Sequence, residues 1–227
     1  MNKLQPIIIK YAGALLLASL LFAACKKDDH FIGGTPTDPY AKSNLTTYDY
    51  LKQNKLFDTL VLMIDRAGMK DEINGNVTFF ASTNYSIKTL IDVRTKLIQL
   101  KYNNENIKYT LDSFPVMELR DSIRAYMYKG NVERRNLSLE RQVFKNMVGE
   151  DFIIRLVETT DYSGIFSKPV QYLELTKIID GQDPDPLPEN YPDARKDIAD
   201  IIQTSGILTK TGVLHVLRNS HKFYWIR

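Results

Sequence analysis

Apolar and polar positions divide the chain into a short apolar run, a polar stretch and a longer region with two periodicities. The run from Tyr11 to Ala24 holds 14 uncharged residues. The polar stretch, residues 25–44, contains two glycines and two prolines, which disfavour regular structure. From residue 45 the pattern is first helical and then alternating, so the folded part is predicted to span residues 45–227.

The first elements of the folded part are predicted to be helices. Thr46 and Thr47 can cap a short helix. A second helix is predicted within Lys55–Met69, because apolar residues recur there at i, i+3, i+4 and i+7, and Gly68 lies where its C-cap is expected. The apolar residues of this pattern are Phe57, Leu60, Val61 and Ile64.

A buried strand and another helix are predicted after the turn Asn74–Asn76. Val77–Phe80 is typical of a short buried strand, and its Phe80 is predicted to lie in the core. The next residues, Ala-Ser-Thr-Asn at 81–84, can cap and stabilise the chain reversal into the helix. Apolar residues of that helix are Ile87, Leu90 and Ile91.

Strands dominate the second half of the chain. Arg141–Val157 is predicted to form strands around a Gly-Glu turn, and Val170–Ile179 forms another. Ile207–Leu217 has the alternation of a closing hairpin, whereas Asp193–Gln203 is expected to form a short helix. Helices early and strands late predict an α+β fold in a single domain that folds without the preceding residues.

The apolar run is predicted to be a signal peptide, residues 1–24. Lys3 and Lys10 give it a positive start, and 14 residues are fewer than the roughly 20 that a membrane-spanning helix needs. Leu-Phe-Ala-Ala-Cys, which ends at Cys25, resembles the lipobox of bacterial lipoproteins. The resemblance implies that Cys25, the only cysteine, carries acyl chains such as palmitate and anchors the protein to a membrane. An uncleaved anchor is the alternative.

A charged run follows this cysteine. Lys27, Asp28 and Asp29 resemble the surface-export signal of Bacteroidetes lipoproteins, which implies a lipid-anchored, surface-exposed location at the outer membrane. The alternative is a solvated part of a flexible tether, residues 25–44, because these charges cannot be buried unpaired at acceptable cost.

Three segments together resemble the fasciclin domain. Thr-Phe-Phe-Ala-Ser-Thr-Asn, residues 78–84, is similar to the family's Phe-Thr-Val-Phe-Ala-Pro-Thr-Asp, with Ser82 for Pro and Asn84 for Asp. Gly-Val-Leu-His-Val, residues 212–216, is similar to its closing Asn-Gly-Val-Val-His-Val-Ile. Residues 123–132 resemble the middle signature, where Tyr126 stands in place of the family's histidine. The resemblance implies a β-wedge with packed helices over residues 45–227.

Two segments resemble insertions in that domain. The first is the polar stretch Lys101–Pro115, and the second is the proline-rich Gly181–Asp193. Tyrosines on such loops can contact sugars or proteins, although tyrosines are more often half-buried. These tyrosines are Tyr102, Tyr109 and Tyr191.

Charge and candidate chemistry favour binding over catalysis. Without the two lysines of the leader, basic residues exceed acidic ones by one, and no basic stripe or nucleic-acid motif is present, so no nucleic-acid partner is expected. His215 is predicted to be a structural core residue, His221 a solvated one, and His30 part of the tether. The prolines among Asp180, Asp183, Asp185 and Glu189 disfavour calcium binding. No catalytic residue, cofactor or metal is therefore predicted.

The resemblance implies a non-enzymatic, lipid-anchored adhesion or binding module at the cell surface. Its expected partners are the membrane, an extracellular protein or glycan, and components of outer-membrane transport. The alternative is an accessory glycan-capture or hydrolytic lipoprotein of a nutrient-uptake system. A hydrolase of that kind would need two facing carboxylates in a cleft.

Overall fold

The computed structural model describes residues 41–223, which form an α+β domain. The helices are α1 (Thr47–Lys52), α2 (Asp58–Ala67), α3 (Lys70–Ile73), α4 (Asn84–Tyr102) and α5 (Val116–Arg124). The strands are β1 (Val77–Ala81), β2 (Met127–Lys129), β3 (Gln142–Lys145), β4 (Asp151–Thr159), β5 (Val170–Lys177), β6 (Ile198–Leu208) and β7 (Val213–Leu217). Short 3-10 helices lie at Lys55–Phe57, Leu111–Ser113 and Arg134–Asn136. The predicted α+β class is confirmed.

The strands form one seven-stranded sheet in the order β2-β1-β7-β6-β5-β4-β3. The β1–β7 pair is parallel and the other neighbours are antiparallel. The two edge strands also meet, because Tyr128 bridges Asn146 and the amide of Met147 donates to the carbonyl of Met127 over 2.9 Å. The sheet is therefore nearly closed, which protects both of its edges.

The early helices lie where the sequence predicted them. Thr46 caps α1, its hydroxyl oxygen accepting from the amide of Asp49 over 3.1 Å. Helix α2 buries Leu60, Val61 and Ile64 on one face and ends at Gly68, which has a positive φ of 64°. The predicted helix and its C-cap are thus confirmed, with a 3-10 turn in its first residues.

Strands β1 and β7 form the centre of the core. All five residues of each strand are buried, and their parallel register places Phe80 opposite His215. The turn before β7 passes so close to β1 that a Cβ on Gly212 would overlap the carbonyl oxygen of Val77. The predicted core strand and closing hairpin are confirmed.

The predicted cap of α4 differs in its contacts. Thr83 occupies the N-cap position, but its hydroxyl makes no hydrogen bond. The side chain of Asn84 instead contacts the start of α2, accepting from the amide of Thr59 over 2.8 Å. Asn84 therefore joins two helices rather than closing its own chain reversal.

The helix expected at Asp193–Gln203 is wrong, because β6 begins at Ile198. Alternate residues of this strand face inward, Asp200 and Ile202 being buried while Ile201 is exposed. Because a polar residue takes an inward position and an apolar one an outward position, the period of two is hidden in the sequence.

The first predicted insertion is partly incorporated into the domain. Helix α4 continues through Tyr102, so the segment Lys101–Pro115 begins in a helix. Near its end, Phe114 is buried and its ring meets that of Tyr109 edge to face at 4.8 Å. The second segment, Gly181–Asp193, lies outside the helices and strands and is largely exposed.

The domain begins beside the end of β6. The amide of Ser43 donates to the carbonyl of Leu208 over 2.8 Å, so the last residues of the predicted tether already contact the sheet. Cys25, Lys27, Asp28, Asp29 and His30 lie outside the described residues. Within residues 41–223, no helix combines the length and apolar character needed to cross a membrane.

Candidate binding groove

The histidine predicted to be structural, His215, is fully buried in β7. Its Nδ1 accepts from the amide of Gly206 over 3.0 Å, and its Nε2 donates to the carbonyl of Val132 over 3.0 Å. Its ring stacks on Phe80 with 4.8 Å between the centroids. Both ring nitrogens are occupied by backbone groups, so the structural role is confirmed.

The surroundings of His215 keep it neutral. The pKa of His215 is lowered from 6.5 to about 4, chiefly by burial and also by the charge of Arg134, while the hydrogen bond to Val132 acts in the opposite direction. Protonation of Nδ1 would also remove the acceptor of the Gly206 amide. This histidine therefore holds the β6–β7 hairpin to the chain beside Val132.

The prediction that His221 is solvated is wrong. Its side chain is buried, with Nδ1 donating to the carboxylate of Asp200 and Nε2 2.7 Å from the hydroxyl of Tyr126. Arg218 completes the network, its Nε lying 2.5 Å from Asp200. The partners lie 21 and 95 residues away along the chain, so no local pattern indicated them.

This Tyr-His-Asp arrangement stabilises the fold and is closed to substrate. Tyr126, His221 and Asp200 expose 2%, 1% and 5% of their surfaces. Tyr126 holds the segment after β7 through His221. A reacting group could not reach these side chains without opening the core.

The acidic residues within and directly before the second predicted insertion contact separate partners. Asp180 pairs with Arg195 at 2.7 Å, and Asp185 lies 3.5 Å from Arg141. Asp183 accepts from the amide of Asp197 over 3.0 Å. Among residues 41–223, no group of three or more His, Cys, Asp and Glu side chains is arranged to hold a metal ion.

A groove of about 710 Å³ lies where the two edges of the sheet meet. Helices α4 and α5, the β3–β4 turn and the end of β5 contribute its walls. The lining residues are Arg94, Glu118, Asp121, Ser122, Arg124, Ala125, Met147, Val148, Glu150 and Lys177. Its volume is in the range of small-molecule pockets.

Asn146 holds the groove in shape. Its side-chain amide donates to the carbonyl of Ala125 over 3.0 Å, and its oxygen accepts from the amides of Glu150 and Val148 at 2.8 and 3.2 Å. The residue is 4% exposed. The β3–β4 turn is thereby fixed against the end of α5.

Ion pairs line the groove. Arg94 contacts Glu118 at 2.7 Å and Lys177 contacts Glu150 at 2.6 Å. Arg124 makes two hydrogen bonds to Glu72, at 2.8 and 2.9 Å, and these bonds raise the pKa of its guanidinium. The walls thus present both signs of charge around the apolar Met147 and Val148.

Sequence reasoning did not find this groove, because separate elements supply its residues and none forms a motif. The three tyrosines of the predicted insertions, which can contact sugars or proteins but are more often half-buried, lie outside this groove. Tyr102 is exposed at the end of α4, Tyr109 packs on Phe114, and Tyr191 lies 5.8 Å from the guanidinium of Arg195.

Comparison with known proteins gives a likeness of fold. No family model matches the chain, and no curated protein matches it. One similar solved structure is a FAS1 domain pair from the insect cell adhesion molecule fasciclin I, with 9% sequence identity and a TM-score of 0.49. The match covers 77% of this chain and 50% of the solved one, so the chain spans half the length of its neighbour.

Proposed function

We propose that the chain is a non-enzymatic, lipid-anchored binding module of the fasciclin type, and that its groove holds a segment of an extracellular protein. The observation that carries this proposal is the groove itself, which is preformed, open and fixed by the hydrogen bonds of Asn146. Support for the fasciclin type comes from the three signatures, whose residues lie on the adjacent strands β2, β1 and β7.

The chemistry of the groove favours a protein ligand over a sugar. Paired charges of both signs around Met147 and Val148 suit a peptide with alternating polar and apolar side chains. Sugar rings usually stack on aromatic side chains. Of the described residues that line the groove, none is aromatic.

Hydrolysis is the less supported alternative, although carboxylates do line the groove. Glu118 and Glu150 each contact a cation, Arg94 and Lys177. Such pairing holds a carboxylate in place as a charged contact rather than leaving it free to donate a proton to a leaving group. The arrangement therefore suits recognition of a charged partner.

The proposed location depends on residues before the described domain. Acylation of Cys25 would anchor the module, and Lys27, Asp28 and Asp29 would direct it to the outer face of the outer membrane, beside components of outer-membrane transport. Protease treatment of whole cells tests this: we expect digestion of the wild type and protection of the Asp28→Ala, Asp29→Ala double variant. Protection of the wild type until lysis would refute surface display.

Photo-crosslinking on living cells tests the binding function. A photoreactive amino acid replaces Val148, which lines the groove and is 39% exposed, and in a control it replaces Leu100, which is 78% exposed on α4. We expect a discrete crosslinked protein from position 148 and none from position 100. Equal crosslinking at both positions, or none at 148, would contradict the proposal. Release of sugar from a polysaccharide by the purified protein would support hydrolysis instead.

A further inference from the structure

The loop between β4 and β5 carries large apolar side chains into solvent. All ten of its residues, 160–169, are exposed. Tyr162, Ile165 and Phe166 expose 49%, 75% and 55% of their surfaces. Single exposed apolar residues are common, but three within five positions at the tip of a hairpin mark a contact surface.

The loop is folded in a way that keeps these side chains at its tip. The amides of Ile165 and Phe166 both donate to the carbonyl of Tyr162, over 2.9 and 3.0 Å, and that of Ser163 donates to Thr160 over 2.9 Å. The rings of Tyr162 and Phe166 meet edge to face at 6.5 Å. The apolar tip is therefore preformed, which lowers the entropy cost of binding.

The chain enters the domain at the same end of the sheet. Arg134 links the start of β5 to the later part of β6, donating to the carbonyl of Gln171 over 2.6 Å and to the hydroxyl of Ser205 over 3.2 Å. Leu208, three residues further along β6, pairs with Ser43. Because a strand rises about 3.3 Å per residue, Ser43 and the base of the loop lie at one end of the sheet.

The groove lies at the other end of the same hairpin. Strand β5 runs from Val170 beside the loop to Lys177 in the groove wall. Strand β4 begins directly after Glu150, which also lines the groove, and ends at Thr159 beside the loop. Eight residues of strand separate the two ends by roughly 25 Å. A surface that meets the apolar loop would therefore leave the groove facing away from it.

We propose that Ile165 and Phe166 insert into the outer leaflet of the membrane that holds the acyl anchor, and so orient the domain with its groove outward. The inference rests on the proposed lipid anchor. Seventeen residues separate Cys25 from Ser43, so this end of the domain stays within about 60 Å of the anchor even at full extension. Each inserted side chain favours the membrane-bound state by a factor of about ten or more.

The charged residues of the loop are also compatible with a membrane surface. Lys168, which is also exposed, lies two residues after Phe166 and has a side chain long enough to extend its ammonium to the headgroup phosphates. Asp161 is its only opposite charge within the loop, so approach to a membrane meets little net repulsion. The bilayer would thus cover a tip that the described domain leaves open.

Fluorescence of the full acylated protein tests this insertion. Ile165→Cys is labelled with NBD, as is a Leu100→Cys control, and each protein is reconstituted in phosphatidylethanolamine–phosphatidylglycerol vesicles that carry spin-labelled acyl chains. Acylated Cys25 does not react with the label. We expect blue-shifted emission and strong quenching of the label at position 165, and neither change at position 100. The substitution Phe166→Ser should lower the inserted fraction by about tenfold or more.

The possible outcomes distinguish a failure of the loop insertion from a failure of the lipid anchor. If the protein floats with the vesicles but position 165 is quenched no more than position 100, the insertion is refuted and the anchor stands. If the protein does not float, the anchor fails. A blue shift without quenching would mean that a second copy of the chain covers the loop, which also overturns the proposal. Equal thermal melting of the labelled proteins excludes misfolding.

Discussion

The β1–β7 seam and the β4–β5 loop use the same kinds of residue in opposite ways. All ten residues of the two strands are buried, whereas all ten residues of the loop are exposed. Phe80 lies in the seam with none of its surface exposed, and Phe166 lies at the loop tip with 55% exposed. Burial gives the seam its stability, and exposure leaves the loop free to bind.

Apolar side chains need not stabilise the domain that carries them. An apolar group contributes to folding only through the surface it removes from water. The loop residues remove little in this domain, so their contribution is expected to appear on association. Substitutions in the two regions should therefore separate stability from binding.

Removing one phenylalanine ring from the seam and one from the loop is expected to give the largest difference in the free energy of unfolding. Phe80→Ala should lower the free energy of unfolding by about 3–5 kcal/mol, because a buried ring is lost and a cavity remains. Phe166→Ala should change it by less than about 0.5 kcal/mol. Urea unfolding measures both values. Similar losses for the two variants would show that the loop is part of the core.

Acidification should destabilise the seam through His215. Its pKa of about 4 in the fold lies below the 6.5 of the unfolded chain, so between these values the unfolded state binds a proton that the folded state does not. The free energy of unfolding should thus fall by about 1.4 kcal/mol per pH unit as the pH drops through this window, or about 3 kcal/mol in all. His215→Gln should flatten the slope, while Phe166→Ala should keep it.

The measurement is urea unfolding at a series of pH values from 4 to 6.5. Other titrating groups add to the slope in every variant, so the difference between wild type and His215→Gln isolates this histidine. An unchanged difference across the window would contradict the neutral, buried state assigned to His215.

A pair of glycines gives a smaller contrast. Gly212→Ala should cost about 1–3 kcal/mol, because the new Cβ overlaps the backbone of Val77 and pushes the seam apart. Gly164→Ala should be nearly neutral, since no atom lies within 4 Å of its added Cβ. Thermal unfolding of the two variants checks this. A neutral Gly212→Ala would mean that β1 and β7 can separate without loss.

The sequence predicted the elements whose side chains follow a local period. The apolar face of α2 and the buried residues of β1 and β7 lie where their spacing indicated. The first half of strand β6 was predicted to be helical, because Asp200 faces inward and Ile201 faces outward. A period of two cannot be recognised when the inward position is polar.

Local sequence patterns could not predict features that are formed by residues far apart along the chain. The burial of His221 depends on Asp200 and Tyr126, and the groove depends on four separate elements. The loop is a different case: its apolar residues were visible in the sequence, but their exposure depends on how far β4 and β5 extend beyond their neighbours. Tertiary arrangement decided each of these outcomes.

Labelling of two positions on intact cells tests whether the loop faces the membrane and the groove faces outward. Lys145→Cys marks the groove end of the hairpin, where Lys145 is exposed opposite Asp151, and Ile165→Cys marks the loop end. With a membrane-impermeant maleimide, we expect rapid labelling at position 145, little at position 165, and full labelling of both in detergent. Equal labelling on intact cells would contradict the orientation, and no labelling of either before lysis would contradict surface display.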